Sequence, residues 1–223
     1  MSVSIPSSGG DKFRAIFCVS PTLVGQLGCV LGAFAAIVWL QTPQLAALKH
    51  QRKSLSQAAL RQAEAKLKVQ LSIAKTLPTF GFDNLVADWH FIDFIQYFGD
   101  TEVRQKAGYG AAMEYFDAIL DRDPRFLYGY FYLSSTGSLY AGQPERSVGI
   151  MTRGLKSLSP KVPDRGYYIW RLKAVDELLF LGKVPAARNS MLNAASWARQ
   201  NPNREGQNVA QLSQNTANYL ARN

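Results

Sequence analysis

GQPERSVGIMTRGLKSLSP, residues 142–160, and GKVPAARNSMLNAASWARQNP, residues 182–202, are the two stretches whose comparison decides the fold. Each opens on a glycine and carries a small residue at Ser147 or Ala187, a methionine at Met151 or Met191, and a small residue again at Gly154 or Ala194. Each then runs to a proline, Pro160 or Pro202. Steps of four and three place such a series on one face of a helix. An upstream copy holds Ala112, Phe116 and Ile119 ahead of Asp123-Pro124, so equivalent positions are 35 and then 40 residues apart. That is the period of a repeated pair of helices.

The pattern has a packing rationale. Small residues let two helices close on each other, the large one fills the gap to the next pair, and a proline opens the following helix where its missing N–H costs nothing. On these residues the chain resembles the tetratricopeptide repeat (TPR) family over about residues 93–202. The first-helix signature of that family is replaced by runs such as Tyr128–Leu133 and Trp170–Ala174, so the repeats are divergent. The resemblance implies an all-α chain with a TPR-like α-solenoid over 81–203 and a polar capping helix over 204–223, with Val209, Leu212, Ala217 and Leu220 turned inward. It also implies a concave groove lined by the first helices, with Tyr132, Thr136, Tyr140, Leu172 and Asp176 on the partner-binding inner face.

Ahead of the repeats, Gly81–Gly99 is densely apolar. Leu85, Trp89, Ile92 and Gln96 share one side of a helix, and Phe91, Phe94, Ile95 and Phe98 widen the apolar face, which predicts a largely buried helix that starts the folded domain. Joined to the repeats, this segment is similar to uncharacterised bacterial membrane-anchored TPR proteins of a cyanobacterial style. That similarity implies a plasma or thylakoid membrane.

The 19 residues Thr22–Leu40 carry no charge, enough at 1.5 Å per residue to span a bilayer core of ~30 Å. Trp39 stands at the end where an indole favours the interface. A cleaved signal peptide is the rival reading, but Ala33-Phe34-Ala35 sits inside the apolar run and the run exceeds the ~7–15 residues usual for such a segment. Gln26-Leu27-Gly28-Cys29 is followed by more membrane-like sequence where a lipoprotein would turn hydrophilic, which disfavours a lipoprotein signal. Gly28, Gly32 and Ala36 form a smooth stripe on which another transmembrane helix could pack.

Charge is unevenly placed. Of the formal +9, residues 44–80 hold +6 (seven Lys/Arg against Glu64), while 81–100 hold four Asp and no Lys or Arg. The basic excess after the span keeps the C-terminal part in the cytoplasm or stroma. Residues 41–80 read as a basic helical connector, its helical pattern running from Gln44 to Leu77 after Pro43 as one helix or two collinear ones, with Lys49, Arg52 and Lys53 near lipid headgroups. No aromatic residue interleaves with its charges, which argues against nucleic acid.

Chemistry is sparse. Cys18 and Cys29 are the only cysteines and His50 and His90 the only histidines, so nucleophilic dyads and His/Cys metal sites lack members. His90 and Asp93 lie one turn apart without a third ligand. Gly108-Tyr109-Gly110 lacks the third glycine of a dinucleotide loop and no strand precedes it. The pairs Asp176-Glu177 and Asp121/Asp123 read as solvated helix surface. No enzyme, metal or cofactor is expected. Two functions remain: a membrane-anchored scaffold that recruits a protein partner, as an assembly factor would, or a stoichiometric structural subunit of a membrane complex.

Overall fold

The computed structural model describes residues 21–54 and 56–222, with the side chains of 21–25, 27 and 45–54 outside the description. Among the described residues the protein is all-helical, with ten α-helices and no strand; Ser159 and Val162 form one isolated antiparallel bridge. Two compact units emerge, Met1–Ser54 and Leu55–Asn223.

Among its described residues the first unit holds one helix, α1 (Pro21–Ser54), which runs through Pro43. The span and the start of the connector are thus one continuous helix, although the proline ring leaves the Trp39 carbonyl without its helical donor. Thr42 Oγ1 donates to the Val38 carbonyl at 2.6 Å. From Gly28 to Leu40 the helix is apolar on every side, and Val30, Phe34, Trp39 and Leu40 stand well exposed. Among the described residues no helix is long and apolar enough to cross a membrane. The stretch Thr22–Leu40 lies only partly within the described side chains.

The second unit starts at α2 (Gln57–Thr76), not at Gly81. Ser56 caps it, its Oγ accepting from the Ala59 amide at 3.2 Å. Leu60 and Leu71 are buried and Leu67 packs on the core, so half of the basic connector is an integral helix of the domain. Arg122 finishes α2 by donating to the carbonyls of Ala74 and Leu77 and to Asp83 Oδ1. Glu64 fixes the other end. Its Oε1 accepts from Tyr97 Oη at 2.5 Å and the Ala111 amide at 2.6 Å, and its Oε2 from Arg104 at 3.0 Å.

Helices α3 (Asp83–Gly99), α4 (Thr101–Ala107) and α5 (Ala112–Leu120) come next, followed by two hairpins. The first pairs α6 (Leu127–Leu133), extended by a π-helical stretch Ser134–Tyr140, with α7 (Pro144–Lys156). The second pairs α8 (Tyr167–Val175), extended by Asp176–Phe180, with α9 (Val184–Arg199). Both π-helical stretches end alike. The Ala141 and Leu181 amides reach back five residues to Thr136 and Asp176, and the Gln143 and Lys183 amides reach back six, to Gly137 and Glu177. Between them sit Gly142 at φ 63° and Gly182 at φ 64°, the left-handed position such a cap needs.

All nine positions of the repeated series are buried: Ala112, Phe116 and Ile119; Ser147, Met151 and Gly154; Ala187, Met191 and Ala194. At Gly154 the helices approach so closely that an added Cβ would lie 2.8 Å from Tyr130 Cζ. Successive first helices stand side by side. Phe91 and Phe94 of α3 meet Tyr132 of α6, and Phe131 of α6 meets Tyr168 of α8. Arg171 of α8 donates to Ser213 of α10 (Arg204–Leu220).

Two burial expectations change. Helix α3 buries Ala87, Phe94 and Tyr97 but leaves Leu85, Trp89 and Ile92 exposed, because α5 and α6 cover only one of its two apolar sides. In α10, Leu212 is exposed, and Ala210 and Ser213 take the inward places beside Val209 and Ala217.

Candidate partner-binding face

The first helices carry the residues assigned to the inner face, and the fold separates them. Thr136 and Asp176 are fully buried. Tyr132 packs edge-on against Phe91 and Phe94, and Leu172 lies half-buried against the main core. Tyr140 alone is well exposed, and its ring rests on Phe98 and Tyr109, centroids 5.5 and 5.2 Å away. Thr136 and Asp176 thus lie inside the fold, Tyr132 and Leu172 are half-buried, and only Tyr140 is open to solvent.

The outward positions are one residue earlier. On α6 and its π-helical extension they are Tyr128, Phe131, Ser135 and Leu139, all exposed. Forty residues on, in the same register, come Tyr168 and Arg171, half-buried beside α10, and then Val175 and Leu179, exposed. One residue is 100° on a helix, so a register read from the repeat alone falls easily on the neighbouring face. The 40-residue recurrence of Tyr128/Tyr168 and Leu139/Leu179 was the available signal.

Beneath this face lies a buried polar layer. Asp176 accepts from Ser134 Oγ at 2.7 Å and Ser138 Oγ at 2.6 Å. Glu177 accepts from Lys173 and from Ser190 Oγ. The pair read as solvated surface is thus interior, and burial pushes the Asp176 carboxyl above its usual range despite the two serine bonds. Asp176 thereby ties the two π-helical stretches together. Its chemistry is structural.

A second ionic cluster joins α2, α5 and α7. Asp117 meets Lys75 at 3.1 Å and Arg146 at 2.8 Å, and also pairs with Arg153; Arg146 additionally reaches Glu114. Burial alone would raise the Asp117 carboxyl, but the hydrogen bonds from Arg146 and Arg153 and the charge of Lys75 outweigh it and hold the group below its ordinary value. Every member has an ion-pair partner, and of Glu114 one oxygen, Oε2, is buried without a hydrogen bond. Asp121 pairs with Arg153, and Asp123 Oδ1 accepts from the Arg125 amide.

His90 is half-buried and held below its ordinary pKa by burial, against the opposing charge of Asp93. Among the described residues no group of three or more His, Cys, Asp or Glu could hold a metal ion. In α1, Gly28, Gly32 and Ala36 are exposed, and a Cβ on either glycine would meet nothing within 4 Å. The side chains of Lys49, Arg52 and Lys53 lie outside the described residues.

Comparison with family models, with curated proteins and with solved structures gives no match to this chain.

Proposed function

We propose that the chain is a membrane-anchored scaffold whose TPR-like array of helical hairpins holds a protein partner at one bilayer surface, and that it is not an enzyme. The observation that carries this reading is the exposed apolar stripe of α6 and α8, with Tyr128, Phe131 and Leu139 continuing as Val175 and Leu179. Aromatic and aliphatic side chains in water over a rigid hairpin layer are what a partner helix or peptide buries. The identical glycine caps and the buried small–large–small series support the TPR-like array.

The anchor rests on the uncharged Thr22–Leu40 and on the helix without a polar face. A proline within a helix is better tolerated in a bilayer than in water. Basic residues after the span favour a cytoplasmic or stromal domain at a plasma or thylakoid membrane. Lys49, Arg52 and Lys53 would contact headgroups and Gly28, Gly32 and Ala36 a neighbouring transmembrane helix. The test is Leu139→Asp with Leu179→Asp, assayed by co-purification from native membranes. The partner is lost while helicity is retained; retention of the partner sinks the proposed face.

A further inference from the structure

A stack of helical hairpins needs a polar surface at each end, since an end has no next hairpin to cover it. The C-terminal end largely meets that need: α10 exposes Gln207, Asn208, Gln211, Asn215 and Asn218, with Leu212 and Tyr219 as its exposed large apolar side chains. The N-terminal end does not. Val69 and Ile73 lie on α2 opposite its inward-facing Leu60, Leu67 and Leu71, Leu77 follows just past the end of α2, and each of Val69, Ile73 and Leu77 is more than half exposed. Phe80 and Phe82 in the following turn are likewise exposed, and α3 continues with Leu85, Trp89 and Ile92. Arg122 holds the turn in place from beneath, bound to Ala74, Leu77 and Asp83.

We infer that a second copy of this chain covers this end, α2 of each copy lying on α3 of the other about a two-fold axis. Charge selects this occupant. Helix α2 carries four Lys/Arg against Glu64, and Arg61 and Lys66 on its exposed side have no ion-pair partner among the described residues. Helix α3 carries Asp83, Asp88 and Asp93 with no Lys or Arg, and the exposed Asp88 beside Trp89 is equally unpaired among the described residues. A two-fold interface sets each patch against the complement on its mate, so Lys66 meets Asp88 twice. An anionic bilayer would attract α2 but repel α3. The area suffices: eight apolar side chains, each more than half exposed, leave about 900 Å² in water, against the ~800 Å² per partner of a standard interface.

The test uses the full chain in detergent micelles and reads the dimer fraction by sedimentation velocity. Wild type is dimeric, and Trp89→Glu is monomeric with unchanged helical circular dichroism. Lys66→Glu and Asp88→Lys each weaken association by about tenfold. Mixing those two chains restores the dimer, because both contacts in the mixed pair again join opposite charges. Gly28→Leu with Gly32→Leu leaves it intact. A monomeric wild type, a mixture no better associated than either chain alone, or loss of the dimer only with the glycine changes would overturn the inference.

Discussion

Replacing Glu64 by alanine should detach α2 from the domain. Its carboxylate is nearly enclosed, with 11% of the side chain exposed, and it faces Arg104 at 7%. Removing one partner of a buried ion pair costs about 3–5 kcal/mol, and the slight exposure of Glu64 argues for the lower end. The Tyr97 hydroxyl and the Ala111 amide also lose their acceptor, which adds about 1 kcal/mol, moderated because that amide lies 3.2 Å from Tyr97 Oη and keeps a bond there. A total near 4 kcal/mol lowers Tm by roughly 12 °C in a domain of this size. Glu64→Gln, whose amide serves Tyr97 but sets N–H groups against Arg104, should cost about half as much. Urea unfolding of the three chains, with hydrogen exchange followed in α2 and α4, gives the comparison. If Glu64→Ala unfolds within 1 kcal/mol of wild type, taking 1 kcal/mol as about the worth of a single hydrogen bond, α2 is no part of the core and the boundary at Leu55 is wrong.

Three further outcomes follow from the same geometry. Gly154→Ala drives a methyl into Tyr130, and overpacking of about 2–3 kcal/mol exceeds the ~1 kcal/mol gained in helix propensity, so thermal unfolding should move down. Asp176 has a carboxyl raised in the folded state, so its ionisation destabilises the fold as pH rises from the unfolded carboxylate value through the folded one; Asp176→Asn should gain on wild type as pH rises through that window, and the opposite trend in Tm would refute the buried, cation-free assignment. Asp117 is held low, so its contribution is present above the unfolded carboxylate range and fades as pH falls through the folded value. Asp117→Asn should therefore cost about 1–2 kcal/mol at pH 7, discounted for the exposure of Arg146 and Arg153, and converge on wild type in acid denaturation.

What could be read from the chain was what periodicity encodes. Ala112, Ser147 and Ala187 with their partners are identifiable as interior because steps of three and four survive divergence, and Gly142 and Gly182 recur at the opening of each stretch because glycine adopts their left-handed φ without strain. The outward face lies one residue from the register that the repeat suggests, already at Phe131 and Arg171 ahead of the π-helical stretches, because one residue is only 100° on a helix and periodicity alone does not fix the step. Helix α2 was read as a connector because its surplus of lysine and arginine outweighed Leu60, Leu67 and Leu71, and because one carboxylate, Glu64, does the joining through residues 33 to 47 positions away. Trp89 was assigned to the interior because an apolar face does not say whether its own chain or another covers it.

The scaffold reading turns on which surface meets a partner, and a photoreactive side chain placed at single positions in the full-length protein reads that directly. In native membranes, probes at Leu139 and Leu179 on the first helices should each yield a discrete adduct of the same partner, while probes at the exposed Thr152 of α7 and Asn193 of α9 yield none. Adducts from Thr152 and Asn193 with none from Leu139 and Leu179 would contradict it.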